Sequence, residues 1–135
     1  MKSKILFSLG LFTVAFLISG FMKSNNQEPW PVPDKYKNMK NPVKSDATSI
    51  AEGKELWSKH CQSCHGKTGL GDGSKAAQLK TEPGNFTKAD VQNQTDGALF
   101  YKSTEGRDDM PSFKKKIPDE EERWSIINYI RTLKK

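Results

Sequence analysis

Cysteine and histidine are scarce in this chain. Its 135 residues hold two of each, Cys61, Cys64, His60 and His65. Both thiols fall in one short run, which leaves none over for disulfides. No cysteine lies near position 20, so lipoprotein processing is excluded. Apolar residues make up only 34% of the chain, thin for a self-supporting core. The formal net charge is +6, but Lys and Arg form no dense stripe interleaved with aromatics, so nucleic-acid binding gets little support. No internal repeat is apparent. The glycine-rich stretch 66–73 does not end in Gly-Lys-Ser/Thr and no strand pattern precedes it, which makes a phosphate-cradling loop a weak reading. A thioredoxin-like reading lacks its βαβ pattern. A zinc site needs further ligands, and beyond the run itself only His60 remains.

What is present is Cys61-Gln62-Ser63-Cys64-His65. This is the C-x-x-C-H spacing at which two thiols add to the two vinyl groups of one haem and the next residue binds the iron. Two intervening residues at the end of a helix bring both sulfurs to one edge of the ring, and His65 then projects under the metal. The motif occurs once, so one haem is expected. Such a group also buries a large apolar area, which offsets the thin core.

The amino terminus reads as a targeting segment. Met1-Lys2-Ser3-Lys4 is charged, residues 5–21 are uncharged and mostly apolar, and Lys23 closes the run. Residues 1–22 are therefore expected to be a signal peptide or an N-terminal membrane anchor, near the lower limit of about 17–25 residues for a span. Either reading puts the rest of the chain on the periplasmic side of the cytoplasmic membrane, anchored or soluble. Residues 23–46 carry Pro29, Pro31, Pro33 and Pro42 among polar residues and read as a proline-rich, semi-rigid tether. Trp30, Val32, Tyr36 and Met39 in that stretch suggest an arm packed on the following domain, or else a partner contact.

Residues 47–135 are expected to form the folded domain. A first helix starts near Thr48 or Ser49 as cap and runs into Cys61, with Gly53 and Trp57 on one face. A short turn is expected within 74–80 and a short helix over 95–102, capped by Thr95. The last helix takes Pro118 in its first turn, Asp119 and Glu120 to Glu122 at its positive end, and Lys134 and Lys135 at its negative end. Capping explains that acidic cluster without a metal. Ile126, Tyr129, Ile130 and Leu133 recur at i, i+3, i+4 and i+7, widened by Trp124 and Ile127.

From about residue 51 onward the chain resembles small single-haem cytochromes c with His/Met axial ligands. Gly53 and Trp57, the haem motif with Gly66, the glycine-rich loop, residues 83–87, Met110-Pro111-Ser112-Phe113 and a last helix with Tyr129 come in that family's order. Trp57 stands where Phe or Tyr is more usual. The resemblance implies an all-α cytochrome c fold of three to four short helices around one covalently bound haem c. It implies that Cys61 and Cys64 carry the thioethers, that His65 and Met110 are the axial ligands of the iron, and that the Pro83 carbonyl holds the second nitrogen of His65. It also implies that the first and last helices cross near Gly53 and pack aromatic against aromatic.

A soft, neutral thioether favours ferrous over ferric iron, which supports Met110 as ligand on chemical grounds; the alternative is a plain core methionine. Six-coordination leaves no open position for a substrate. The expected function is a non-enzymatic single-electron carrier between periplasmic or membrane redox proteins, with no nucleic-acid partner. The alternatives are a haem c subunit serving an oxidase, reductase or dehydrogenase, and a ligand-binding haem protein if the methionine is labile. Lys114, Lys115 and Lys116 could steer an acidic redox partner or form a solvated turn.

Overall fold

Asp46 opens the first long helix. Its carboxylate accepts hydrogen bonds from Thr48 N and Ser49 N, both at 3.1 Å, while Ser49 Oγ accepts from Asp46 N at 3.2 Å. The reciprocal pair satisfies amide groups that the first turn leaves without partners. The cap is thus upstream of Thr48 and Ser49, because the aspartate reaches back over the turn that Ser49 closes.

The computed structural model describes residues 29–135. The helices in order are α1 (Asp34–Lys37), α2 (Ala47–His60), α3 (Gln62–His65), α4 (Ala89–Gln92), α5 (Asp96–Glu105) and α6 (Glu120–Thr132), with a 3-10 turn at Ala76–Gln78. Only α2, α5 and α6 exceed a single turn. Among the described residues the sole extended pairing is an isolated bridge between Arg107 and Met110. The fold is all-α, with three main helices. The expected leader, residues 1–22, and the first residues of the expected tether lie outside the described residues.

Helices α2 and α6 cross at Gly53. A Cβ there would overlap the Ser125 carbonyl and stand 3.0 Å from Tyr129 Cβ. Only a residue without a side chain allows this approach. Ser125 Oγ donates to Glu52 Oε2 at 2.6 Å beside the crossing. The Trp57 and Tyr129 rings meet one turn away with centroids 5.8 Å apart.

The cap of α6 is Asp119, which accepts from Glu121 N at 2.8 Å and Glu122 N at 3.4 Å. Pro118 was expected inside the first turn and stands one residue before this cap, because the aspartate side chain claims the free amides. At the other end the helix stops at Thr132, short of Lys134 and Lys135. Arg131 is the cation there, 2.6 Å from Asp96 at the start of α5.

Every residue of α6 from Arg123 to Ile130 is buried, not only the apolar stripe. The reason is the segment before α2. Residues 29–46 pack against α5 and α6 instead of projecting as a spacer. Asn41 Nδ2 donates to Asn128 Oδ1 at 2.9 Å and to the Trp124 carbonyl at 3.3 Å. Asn128 Nδ2 donates in turn to the Val43 carbonyl and to Ser49 Oγ. The Tyr36 ring packs on Tyr101 with centroids 4.7 Å apart, and the Tyr36 carbonyl lies where a Cβ on Gly97 would stand. The prolines favour extended backbone, yet Pro33 leads directly into α1.

Candidate cofactor site

Cys61 is the hinge of the site. It ends α2 and starts α3, and its carbonyl accepts from Cys64 N at 3.1 Å and His65 N at 3.0 Å. Cys61 and Cys64 are therefore three residues apart on a single helical turn, which puts both side chains on one face. Both are free and half-buried. Burial, helped by the neighbouring Cys64, pushes the Cys61 thiol up to about 12, so it is a neutral thiol at neutral pH.

Gly66 ends α3 at φ +80, in the left-handed region that favours glycine. The loop behind it folds back onto the motif. Gly71 N donates to the His65 carbonyl at 2.9 Å, Gly73 N to Cys64 at 3.2 Å and Lys75 N to Ser63 at 2.8 Å. These carbonyls are the ones a one-turn helix leaves unpaired. The glycine-rich stretch thus caps the haem motif with its amides and does not face an anion.

His65 lies against two aromatic rings. Phe86 meets it edge-on at 4.9 Å and Trp57 at 5.7 Å. Trp57 Nε1 donates to the Gly66 carbonyl at 3.0 Å, which ties the indole to the residue after the histidine. Burial lowers the imidazole to about 4. At neutral pH it is uncharged and keeps a lone pair for a metal. Its Nδ1 is buried and makes no hydrogen bond among the described residues.

Pro83, the expected partner of that nitrogen, makes no hydrogen bond to it among the described residues. Its carbonyl packs against Gly71 (φ +79), where a side chain would overlap it. Phe86, three residues on, is the residue of this segment that reaches the imidazole, and it is also anchored: its amide donates to the Gly69 carbonyl at 2.7 Å. A lone aromatic in a Pro-Gly-Asn-Phe loop was the available signal, and periodicity could not detect it.

Met110 lies in the loop between α5 and α6. Met110 and Arg107 exchange backbone hydrogen bonds of 2.8 and 2.9 Å around a tight turn. Met110 is half-buried, and it and Cys61 pack against the same hydrophobic cluster, which includes Trp57, Phe113 and Ile127. Of the lysines nearby, Lys114 is paired with Glu105 at 2.6 Å and Lys116 lies over the Phe113 ring. The hydrogen bond that Lys114 donates to Glu105 raises the Lys114 pKa. His60 packs edge-on to Phe113, and burial, then Lys59, lowers its pKa.

The donor set suits a haem c. Two thiols on one helical face, a desolvated neutral imidazole with an orphaned buried nitrogen, and a thioether near an apolar cluster match an apolar macrocycle better than a hydrated cation. Among the described residues no three His, Cys, Asp or Glu side chains gather to bind a metal on their own. Two surface hollows of about 440 and 590 Å³ lie along the arm and α5, and neither is lined by the motif or by Met110.

Comparison with known proteins points to the same cofactor. The family model described as "Cytochrome C oxidase, cbb3-type, subunit III" matches residues 48–130. A chain of the Kuenenia stuttgartiensis reducing HAO-like protein complex Kustc0457/Kustc0458 is similar at 26% identity and a TM-score of 0.64, over 82% of this chain and 53% of its own. The present chain thus spans about half the length of that protein. A second structure, the KustC0563 c-type cytochrome, is 28% identical with a TM-score of 0.53, over 62% of this chain and 98% of its own. No curated protein matches. The chain belongs to the cytochrome c family so described, and it is a small single-haem cytochrome c whose cofactor is a covalently bound haem c.

Proposed function

We propose that this cytochrome is a single-electron carrier. Cys61 and Cys64 would hold the haem through thioethers to its two vinyl groups, an addition that needs no oxidant. His65 and Met110 would bind its iron. When bound, the haem supplies a one-electron iron couple. The protein's part is to fix the imidazole between Trp57 and Phe86, to exclude water from it, and to offer a neutral sulfur as the other ligand. Neutral donors in an apolar setting stabilise the reduced iron over the more highly charged oxidised iron.

The observation that carries this reading is the immobilised motif. Carbonyls on the last turn of α3 are bound by the glycine loop, and the indole is tied to Gly66. A site held this firmly changes redox state with little movement, as electron transfer requires. A reductive titration tests it. The expected result is a one-electron wave, with a weak far-red charge-transfer band in the oxidised protein that marks sulfur ligation. A water-ligated ferric spectrum that binds peroxide or a gas without delay would favour a ligand-binding haem protein instead.

A second reading is that the protein serves as a haem c subunit of an enzyme complex. The likeness to a chain of an HAO-like complex favours it. The two readings share the site and differ in whether the protein leaves its partner. Co-purification of the native protein with a stoichiometric partner at moderate salt separates them. Under either reading the partners are redox proteins, and the domain works outside the cytoplasmic membrane.

A further inference from the structure

The loop that carries Met110 is anchored at its inner end by its own domain. Ser112 Oγ donates to the Thr104 carbonyl at 2.7 Å and Phe113 N to the same oxygen at 3.1 Å. Gly106, at φ +72, lets the backbone from Met110 to Ser112 pass where a side chain would block it. The outer corner is held differently. There Arg107 pairs with Met110 through both backbone hydrogen bonds. Its side chain turns away to the amino-terminal arm. The guanidinium carbon lies 4.6 Å from the centroid of the Trp30 ring, and Nη1 donates to the Pro29 carbonyl at 3.2 Å. Trp30 also takes the Lys102 ammonium of α5 at 5.7 Å.

Between Arg107 and Met110, Asp108 sits at φ +52. That conformation is uncommon for a residue with a side chain, although aspartate adopts it more readily than most. Besides the 3.5 Å ion pair of Arg107 with Asp108 inside the turn, the contact of Arg107 with Trp30 and Pro29 restrains the turn at its first residue.

We propose that Trp30 and Arg107 are positioning residues for Met110. The arm grips the guanidinium, the guanidinium holds the corner of the loop, and the loop presents the thioether. An arm seated in this way strengthens the hold of Met110 on the iron against competing ligands. The proposal rests on the reading of Met110 as axial ligand given above. It also gives the segment before α2 a role that its proline-rich composition does not suggest: whatever lifts Trp30 off Arg107 alters the stability of the ligand bond.

The test is imidazole binding to the oxidised full-length holoprotein, because imidazole competes with Met110 for the sixth position. Trp30→Ala and Arg107→Ala should each tighten imidazole binding about three- to tenfold, the scale of one lost cation–π contact. The double variant should bind no tighter than the stronger single, since the two side chains act as a unit. Trp30→Phe keeps an aromatic face and should stay within about twofold of the parent. Tyr36→Ala removes the arm's ring contact with Tyr101 and leaves Trp30 and Arg107 in place, so it should leave imidazole affinity unchanged.

An unchanged affinity in Trp30→Ala, or an equal gain in Tyr36→Ala, would overturn the proposal. Met110→Ala separates it from the reading beneath. If that variant binds imidazole no tighter than the parent, Met110 is not the ligand and both ideas fail. If it binds tighter while Trp30→Ala does not, the role of the arm alone fails. Where Trp30→Ala yields no holoprotein, Arg107→Ala set against Arg107→Lys carries the same comparison.

Discussion

Gly53 and Ser125 meet backbone to backbone where α2 crosses α6, with no room between them for a single methyl group. That contact sets the angle at which the helix leading into Cys61 passes the terminal helix. It therefore sets where the haem motif stands relative to the core.

The contact predicts the cost of the smallest possible substitution. Gly53→Ala places a carbon against the Ser125 carbonyl and the Tyr129 side chain, neither of which is a flexible tip. Overpacking against backbone should destabilise the holoprotein by about 3 kcal/mol. Chemical denaturation followed at the haem absorbance measures it. A loss below about 0.5 kcal/mol would show that the helices separate freely.

Trp57→Phe addresses the tie between α2 and the turn after His65. The variant keeps an aromatic ring but loses the 3.0 Å hydrogen bond to the Gly66 carbonyl. Leaving that buried oxygen with only the longer 3.4 Å bond from Gly69 N should cost about 1 kcal/mol. Covalent haem content should remain that of the parent, because the thiols are untouched. Loss of stable haem attachment instead would mean that the indole takes part in maturation.

Met110→Ala removes the proposed sulfur ligand. The midpoint potential should fall, within the roughly 0.8 V range that axial ligands span, and the far-red band should vanish. Protein-film voltammetry and an oxidised spectrum read both. An unchanged potential would assign the sixth position to another residue.

Asn128→Ala tests the arm as part of the folded body. Asn128 is 4% exposed and joins Asn41, Ser49 and the Val43 carbonyl. Its loss breaks the bond to Asn41 and leaves the Val43 carbonyl without that donor, and should destabilise by about 1–3 kcal/mol. Limited proteolysis should then cut within residues 29–46 first. Parent-like protection of that segment would contradict the packing described for the arm.

The haem motif and the capped start of α5 at Thr95 were legible because each is a local rule written in adjacent residues, while the crossing at Gly53 followed from the family resemblance. The cap of α2 was placed two to three residues late, and Pro118 was taken into the first turn of α6, because Asp46 and Asp119 had to be weighed against neighbours with similar propensity. The all-round burial of α6 was not legible. A helical stripe reports one partner face, and Asn41 covers the other from 87 residues away in sequence. Phe86 and Arg107 were missed for the same reason, since their importance comes from what long-range folding brings to them. The Pro83 carbonyl was assigned by resemblance, and it packs against Gly71.

The central claim is that the thiols of Cys61 and Cys64 are the covalent attachment of the haem. Peptide mapping of the native protein by mass spectrometry, after alkylation under denaturing, reducing conditions, tests it most directly. The peptide spanning Cys61 to His65 should carry the added mass of one haem and no alkyl groups. The same peptide recovered with both cysteines alkylated and no haem would contradict the account.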